Sequence, residues 1–472
     1  MKYRLYRYEI LALQQGLRGF ADIIKRGEDV KTPIFDFVKG YTESNASRLH
    51  MPGHKGKSLL GCEKYDITEI DGADVLYNAS GIIKESEENA ASLFGTAATY
   101  YSTEGSTLCI KAMLSLVCKG KGESPLILAA RNVHKAFVYA GALLDFEVKW
   151  MYARNSSHLC SCPLTADEVE KQILGCNRTP DAVYITSPDY LGNTADIKGI
   201  ATVCERHSIP LLVDNAHGAY LGFLEKSLHP IHLGATMCCD SAHKTLPVLT
   251  GGAYLHISEK GKDYIPHAED CLSLHASTSP SYLIMQSLDL CNAYLAEGYR
   301  EKLKATAKKV DGLKLTLRSS GFDITDNEPL KLTLSPLSYG YAGNELADIL
   351  SDKGISCEFA DRDFVVLMFT PENSDEDFAR VRDALTALPK RDGVSLPHLP
   401  TLSEAERKLT LRQAVFAESE LIDTSLAEGR VCASPTVSCP PAVPVAVSGE
   451  VITKEAVEIF KAYNIDKIRV VK

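Results

Sequence analysis

The run Asp240-Ser-Ala-His-Lys-Thr-Leu-Pro247 sets a lysine directly after a histidine, between two hydroxyl residues, with a proline closing the segment. The Lys244 ε-amine can condense with an aldehyde to give a Schiff base, and Ser241 and His243 beside it can hold a phosphate. Thirty residues upstream, the apolar run Leu211-Leu-Val ends in Asp214, and Asn215-Ala-His-Gly218 follows. A carboxylate beside a pyridine nitrogen keeps that nitrogen protonated, which lets the ring draw electrons from an attached carbon. Aldehyde, phosphate and pyridine together describe pyridoxal 5'-phosphate, with Lys244 as its amine and Asp214 as its acid.

That cofactor also needs a phosphate cradle and two faces to clamp its ring. Gly105-Ser-Thr107 precedes the helical stretch Leu108 to Leu116, so Gly105, Ser106 and Thr107 offer hydroxyls and backbone N–H groups where a helix dipole favours an anion. His134, in Arg131-Asn-Val-His134 just past a strand, is the flat face. Ala216, two residues beyond Asp214, is the small one, and His217 extends the same segment. Singly, each has a commoner explanation: a surface lysine, a turn aspartate, a Ser/Thr cap or a surface histidine. Their combination sets them apart.

The elements that must position these residues alternate. Leu126–Ala130, Ala182–Thr186 and Pro210–Asp214 read as short apolar strands, with a helix from Thr194 to Arg206 between the last two. This predicts βαβ units in a largely parallel sheet covered on both faces, with ligands at the carboxyl ends of its strands. Residues 1–31 carry apolar residues at helical spacing, and Thr32 to Gly56 reads as irregular. A helix from Glu85 to Phe94 leads to Gly105. After Pro280 one long helix is expected from Ser281 to about Ser319. A small α+β pattern follows: a strand at Leu330–Leu334, a helix near Gly343 to Lys353, a strand at Phe364–Phe369 and a helix from Asp375 to Leu388. Pro389 to Pro400 forms a linker to a last α+β module. The expected division is an arm and loop at 1–56, a large α/β domain at 57–295, a small domain at 296–389 and a C-terminal domain at 390–472.

At 472 residues, 45% hydrophobic and 24% charged, the chain has the composition of a globular protein of two or three domains. No apolar run approaches the roughly 18 residues a membrane span needs, and no signal peptide is seen, so a cytoplasmic location is expected. A net charge of -10 disfavours nucleic acid as a partner. The 14 cysteines are scattered and read as reduced, mostly buried thiols. Cys160 and Cys162 near His158 are a weak metal candidate, and no metal is expected.

Taken together, the chain from about Thr32 resembles the bacterial ornithine/lysine/arginine decarboxylases of pyridoxal phosphate fold type I, in the short form that includes biosynthetic arginine decarboxylase. The resemblance rests on His50-Met-Pro-Gly-His-Lys-Gly56, Asp66-Ile-Thr-Glu69, Gly105-Ser-Thr107, Arg131-Asn-Val-His134, Thr186-Ser-Pro-Asp-Tyr-Leu-Gly192, Asp214-Asn-Ala-His-Gly218 and Ser241-Ala-His-Lys-Thr-Leu-Pro247. Near the C-terminus, Gly429-Arg430, the cluster Cys439-Pro-Pro-Ala-Val-Pro444 and Ser448-Gly-Glu450 are similar to the family's last domain. It implies an aspartate aminotransferase-like large domain and a role in polyamine biosynthesis. It also implies a homodimer or larger assembly, because Ser277-Thr278-Ser-Pro-Ser-Tyr282 is similar to a segment that reaches a neighbouring subunit's cofactor. The chain departs from the family at Asn215, usually glutamate, at Asp189, usually threonine, at Gly251, commonly glutamine, and at Cys439 and Ala442, usually tyrosine and glycine.

The activity implied is α-decarboxylation of a basic L-amino acid: arginine to agmatine first, with lysine to cadaverine and ornithine to putrescine close behind. Lys244 or His134 would protonate Cα. Glu450, Asp189 and Glu428 are candidate partners for the cationic end of the substrate. Two other readings fit the same residues: an aminotransferase or carbon–sulfur lyase, and a non-catalytic binding or regulatory paralogue. A transaminase would usually display an arginine for the α-carboxylate, and a non-catalytic copy would not need Lys244.

Overall fold

The computed structural model describes residues 30–122, 124–152, 159–434 and 443–472. Its centre is a seven-stranded sheet: β1 (Ala98–Ser102), β2 (Leu126–Ala130), β3 (Glu147–Met151), β4 (Ala182–Thr186), β5 (Leu211–Asp214), β6 (Met237–Asp240) and β7 (Ala253–Ile257). The spatial order is β1-β7-β6-β5-β4-β2-β3. β7 runs antiparallel to both its neighbours and every other pairing is parallel. β2, β5, β6 and β7 are buried along their whole length, as strands covered by helices on both faces must be. Alternate residues serve separate cores: Ile127 and Ala129 pack with Met113 and Phe137, whereas Leu128 and Ala130 pack with Ile200 and Val203.

Parallel pairing brings the carboxyl ends of β2, β4, β5 and β6 to one edge, and β1 enters the helix Gly105–Cys118 on the same side. The quoted motifs at 131–134, 186–190, 214–217 and 241–244 all follow those ends.

Two regions differ from the sequence expectation. Pro33–Glu43 is a helix rather than irregular chain. Pro33 starts it, Ile34 and Val38 bury its inner side, and Asp289 Oδ2 accepts the Phe35 N–H at 2.9 Å. Two buried apolar positions make too short a stripe to stand out in the sequence, and the fixing contact lies over 250 residues away. The helix expected from Ser281 to Ser319 is two, Tyr282–Ala296 and Tyr299–Ser319, parted where Gly298 adopts φ +66°. The helical reading of the N-terminal arm falls on residues 1–29, outside the described residues.

A second sheet joins β8 (Asp323–Ile324), β9 (Lys331–Ser335), β10 (Phe359–Ala360) and β11 (Val365–Met368) in the order β10-β11-β9-β8, all antiparallel. Its core includes Val310, Leu334, Leu346 and Leu385. Near the C-terminus, β12 (Ser419–Asp423) pairs antiparallel with β13 (Lys467–Val471) beside the helix Lys454–Ala462, around Cys432, Ile459 and Phe460. Among the described residues, no helix is long and apolar enough to cross a membrane.

Candidate active site

The carboxyl edge of the large sheet encloses a cavity of about 190 Å³. Gly105, Ser106, Thr107, His134, Asp214, Ala216, His217, Ser241, His243 and Lys244 all line it. Thr278 does not: it lies on the exposed segment before the helix Tyr282–Ala296.

Lys244 sits in the short helix Ala242–Thr245, and its Nζ lies 3.0 Å from His217 Nε2. Burial, with the positive charges of Lys331 and Lys244 nearby, holds the His217 imidazole well below the ordinary histidine range, so it stays neutral and accepts from the ammonium. Asp214 ends β5 and is buried. Its Oδ1 accepts the Ala216 N–H at 3.2 Å and its Oδ2 the Tyr184 hydroxyl at 3.3 Å. These neutral donors orient the carboxylate without cancelling its charge.

His134 caps the helix Lys135–Leu144, its Nδ1 accepting the Ala136 N–H at 3.2 Å. That contact leaves the proton of the neutral ring on Nε2. Burial lowers the His134 pKa, the Asp214 charge opposes this, and Lys244 and Lys135 add to it. A neutral, flat imidazole therefore faces the cavity.

At the other end, Gly105 opens the helix Gly105–Cys118 at φ +70°, and a β-carbon built there meets nothing within 4 Å. Ser241 Oγ donates to Ser106 Oγ at 2.8 Å, joining the β6 loop to this helix start. His243 Nδ1 donates to the Gly252 carbonyl at 2.9 Å. Three buried polar atoms in residues lining the cavity, Asn132 Oδ1, Thr186 Oγ1 and His217 Nδ1, have no partner among the described residues. Open space over a helix N-terminus at one end, with buried unpaired polar atoms in the walls, fits an anionic, polar-edged ring such as pyridoxal phosphate.

A family model described as Orn/Lys/Arg decarboxylase, major domain, matches residues 32–307, more than half of the chain. The chain belongs to the Orn/Lys/Arg decarboxylase family. This decarboxylase is an enzyme of the carboxy-lyase class with a type I pyridoxal phosphate fold. It is 29% identical to the arginine decarboxylase of Bacillus subtilis over 92% of this chain and 94% of that one. Identity to the arginine decarboxylase of Halalkalibacterium halodurans is also 29%, with the same coverage. The solved constitutive lysine decarboxylase of Escherichia coli superposes with a TM-score of 0.76 at 19% identity, over 94% of this chain and 82% of that one.

The decarboxylase corrects two of the three candidates for the cationic substrate end. Glu450 forms a buried, bidentate ion pair with Arg131, at 2.6 Å from Nη1 and 2.7 Å from Nη2. Its oxygens are committed to holding the C-terminal module on the end of β2. Glu428 is exposed on a turn. Only Asp189 lines the cavity. The weak metal candidate also separates: the Cys160 thiol donates to Asp361 Oδ2 and the Cys162 thiol to the Met151 carbonyl, while His158 lies outside the described residues.

Thr186, Cys160 and Tyr190 line the cavity without having been given a cofactor role from the sequence, and Tyr184 bonds Asp214 without lining the cavity. Tyr184 and Thr186 hold the two polar groups in an otherwise apolar strand, which was the available signal. Cys160 and Tyr190 lie in loops, where no periodicity marks direction.

Proposed function

We propose that this decarboxylase removes the α-carboxylate of a basic L-amino acid with pyridoxal 5'-phosphate, arginine first and lysine or ornithine next. The observation that carries the reading is the meeting of Lys244, His217, Asp214 and His134 around one cavity whose far end is a helix N-terminus. The arginine decarboxylases named above, matching almost end to end, support the order of substrates.

Ser106, Thr107, Ser241 and His243 would hold the phosphate, Asp214 the ring nitrogen, His134 and Ala216 the two faces, and Lys244 the aldehyde carbon. Bound there, the cofactor supplies a sink for the electron pair released when the Cα–carboxylate bond breaks. Neutral His217 accepts from Lys244 Nζ and so holds the amine in place. Tyr184 and the Ala216 N–H keep Asp214 oriented. After carbon dioxide leaves, Lys244 Nζ or His134 Nε2 delivers the proton to Cα. Buried walls exclude water, which favours loss of a charged carboxylate as a neutral gas.

We also propose a homodimer or larger assembly, cytoplasmic and serving polyamine biosynthesis. The exposed position of Thr278, and the exposed Leu49, Leu59, Leu60 and Leu274, support association with a second copy.

The test is incubation of the purified protein and cofactor with each basic amino acid, following carbon dioxide, amine and keto acid. Carbon dioxide with amine and no keto acid is expected. Keto acid would favour a transaminase instead, and no product at all a binding module. Lys244→Ala should lose the visible absorbance of the bound cofactor.

A further inference from the structure

Behind Cys160, one residue back from the cavity, lies a buried carboxylate with no cation paired to it among the described residues. Asp361 is wholly inaccessible to solvent. Its Oδ1 accepts the N–H groups of Asp363 and Phe364 at 2.8 and 2.7 Å, and its Oδ2 the Cys160 thiol at 3.2 Å and the Tyr463 hydroxyl at 3.4 Å. All four donors are neutral, and no cation pairs with it among the described residues. A buried carboxylate in that state retains a strong demand for positive charge. Its neighbours come from all three sheet-bearing modules: Cys160 from the large one, Asp363 and Phe364 from the small one, and Tyr463 from the C-terminal one.

Cys160 has Asp361 behind it and the cavity in front. Asp189 lines the same cavity, its two oxygens accepting the Asn193 backbone and side-chain N–H groups at 2.9 and 3.0 Å. Burial, and then the charges of Asp361, Asp189 and Asp363, push the Cys160 thiol up. Lys331 is the nearby buried cation, but it is shared: its Nζ donates to the Asp189 carbonyl at 3.0 Å and lies 3.6 Å from Glu328. Around Cys160 the structure packs Tyr190, Leu191, Phe359, Phe364 and Val366 into an apolar core, of which Tyr190 reaches the cavity.

We propose that Asp361 and Asp189 together read the cationic end of the substrate through the wall at Cys160. The inference rests on the basic amino acid reading above and adds the residues that impose it. The carboxylates select an ammonium or guanidinium over a neutral end, and the apolar packing around them keeps their field from being screened by water. Asp361 also closes the 361–364 turn through Oδ1, a structural duty that an asparagine carbonyl preserves.

The deciding experiment compares the wild type with Asp361→Asn and Asp189→Asn, using arginine and lysine beside their neutral isosteres citrulline and norleucine. The expected result is a KM for the basic substrates raised about tenfold or more, with kcat changed far less and the neutral isosteres unaffected. Should Asp361→Asn not fold, Asp189→Asn carries the same comparison. Basic-substrate KM values within about twofold of wild type in both variants would overturn the assignment while leaving the decarboxylase reading intact. A wild type that acts on no basic amino acid would overturn that reading, and this inference with it.

Discussion

The Asn215 side chain donates its amide N–H to Asp240 Oδ1 at 2.7 Å, directly behind the strand ends that carry Asp214 and Ser241. The other oxygen of Asp240 lies 3.0 Å from His229 Nε2 and 3.3 Å from His256 Nε2, and all three side chains are fully buried. Burial opposes ionisation of Asp240, but the two imidazoles outweigh it and hold the carboxyl well below its ordinary range. His229, Cys238 and Asp240 come close enough to suggest a metal site. Hydrogen bonds already use both carboxylate oxygens, which accounts for the cluster without an ion. A glutamate at 215, usual in the resembled family, would face Asp240 with a second carboxylate. Asparagine at 215 and aspartate at 240 are thus one matched feature. Asn215→Asp, nearly isosteric, should cost about 3 kcal/mol or more. Adding Asp240→Asn, which restores a donor to the pair, should recover part of that loss. Denaturant unfolding checks both, and an Asn215→Asp variant as stable as wild type would sink the idea.

The Arg131–Glu450 pair fastens the C-terminal module beside His134. Arg131 Nε also donates to the Pro444 carbonyl at 3.1 Å, and its guanidinium stacks 5.0 Å from the Trp150 ring centroid. Breaking a buried pair on one side strands the other charge, at about 3–5 kcal/mol. Glu450→Gln should therefore destabilise strongly, whereas Arg131→Met with Glu450→Leu should recover most of the loss. Chemical denaturation of the three variants would show it. Equal losses in the single and double variants would mean that packing, not charge, holds this joint.

That these residues would meet at one cavity was legible in the sequence because Asp214 closes a strand, His134 and Gly105 stand at helix starts and Lys244 follows a strand end within a few residues, and local pattern locates such boundaries. Partnerships across the fold were not. Nothing local to Glu450 shows that a guanidinium 319 positions earlier takes both its oxygens, and nothing near Cys160 shows Asp361 behind it. The departure at Gly251 acquires a cause only in three dimensions. Its φ is +100°, and a β-carbon there would lie 2.8 Å from the Thr103 carbonyl oxygen, so glutamine does not fit this backbone. The Gly251 carbonyl in turn accepts the Gly105 N–H at 2.7 Å, tying that strained turn to the phosphate end of the cavity.

Glu87 offers a pH signature separate from catalysis. It is fully buried, its Oε1 accepts the Tyr101 N–H at 2.9 Å and its Oε2 has no partner among the described residues. Burial pushes its carboxyl up to about 8, so the folded state holds a proton that the unfolded chain releases near pH 4. Between those values the folded state binds more protons, so the Glu87 contribution to stability falls as pH rises and levels off above about 8. Glu87→Gln removes that titration. Its stability relative to wild type should rise through this window, by at most about 1.4 kcal/mol per pH unit. Thermal melts of both proteins from pH 5 to about 9 would reveal it; a constant difference would rule it out.

Gly105 allows the phosphate cradle to be tested by binding alone. At φ +70° an alanine pays roughly 1 kcal/mol of backbone strain. Its methyl meets no protein atom within 4 Å, so packing of the cofactor-free protein should be otherwise undisturbed. With cofactor added, that methyl would project where the anion must approach the helix amides. Gly105→Ala should thus melt only slightly earlier without cofactor, yet bind pyridoxal phosphate about tenfold or more weakly in a fluorescence or absorbance titration. Inorganic phosphate, which needs the same amides but no ring contacts, should compete less well with the cofactor in the variant. If the variant takes up cofactor as tightly as wild type, the anion is held elsewhere, and the roles given to Ser106, Thr107 and Ser241 fall with it.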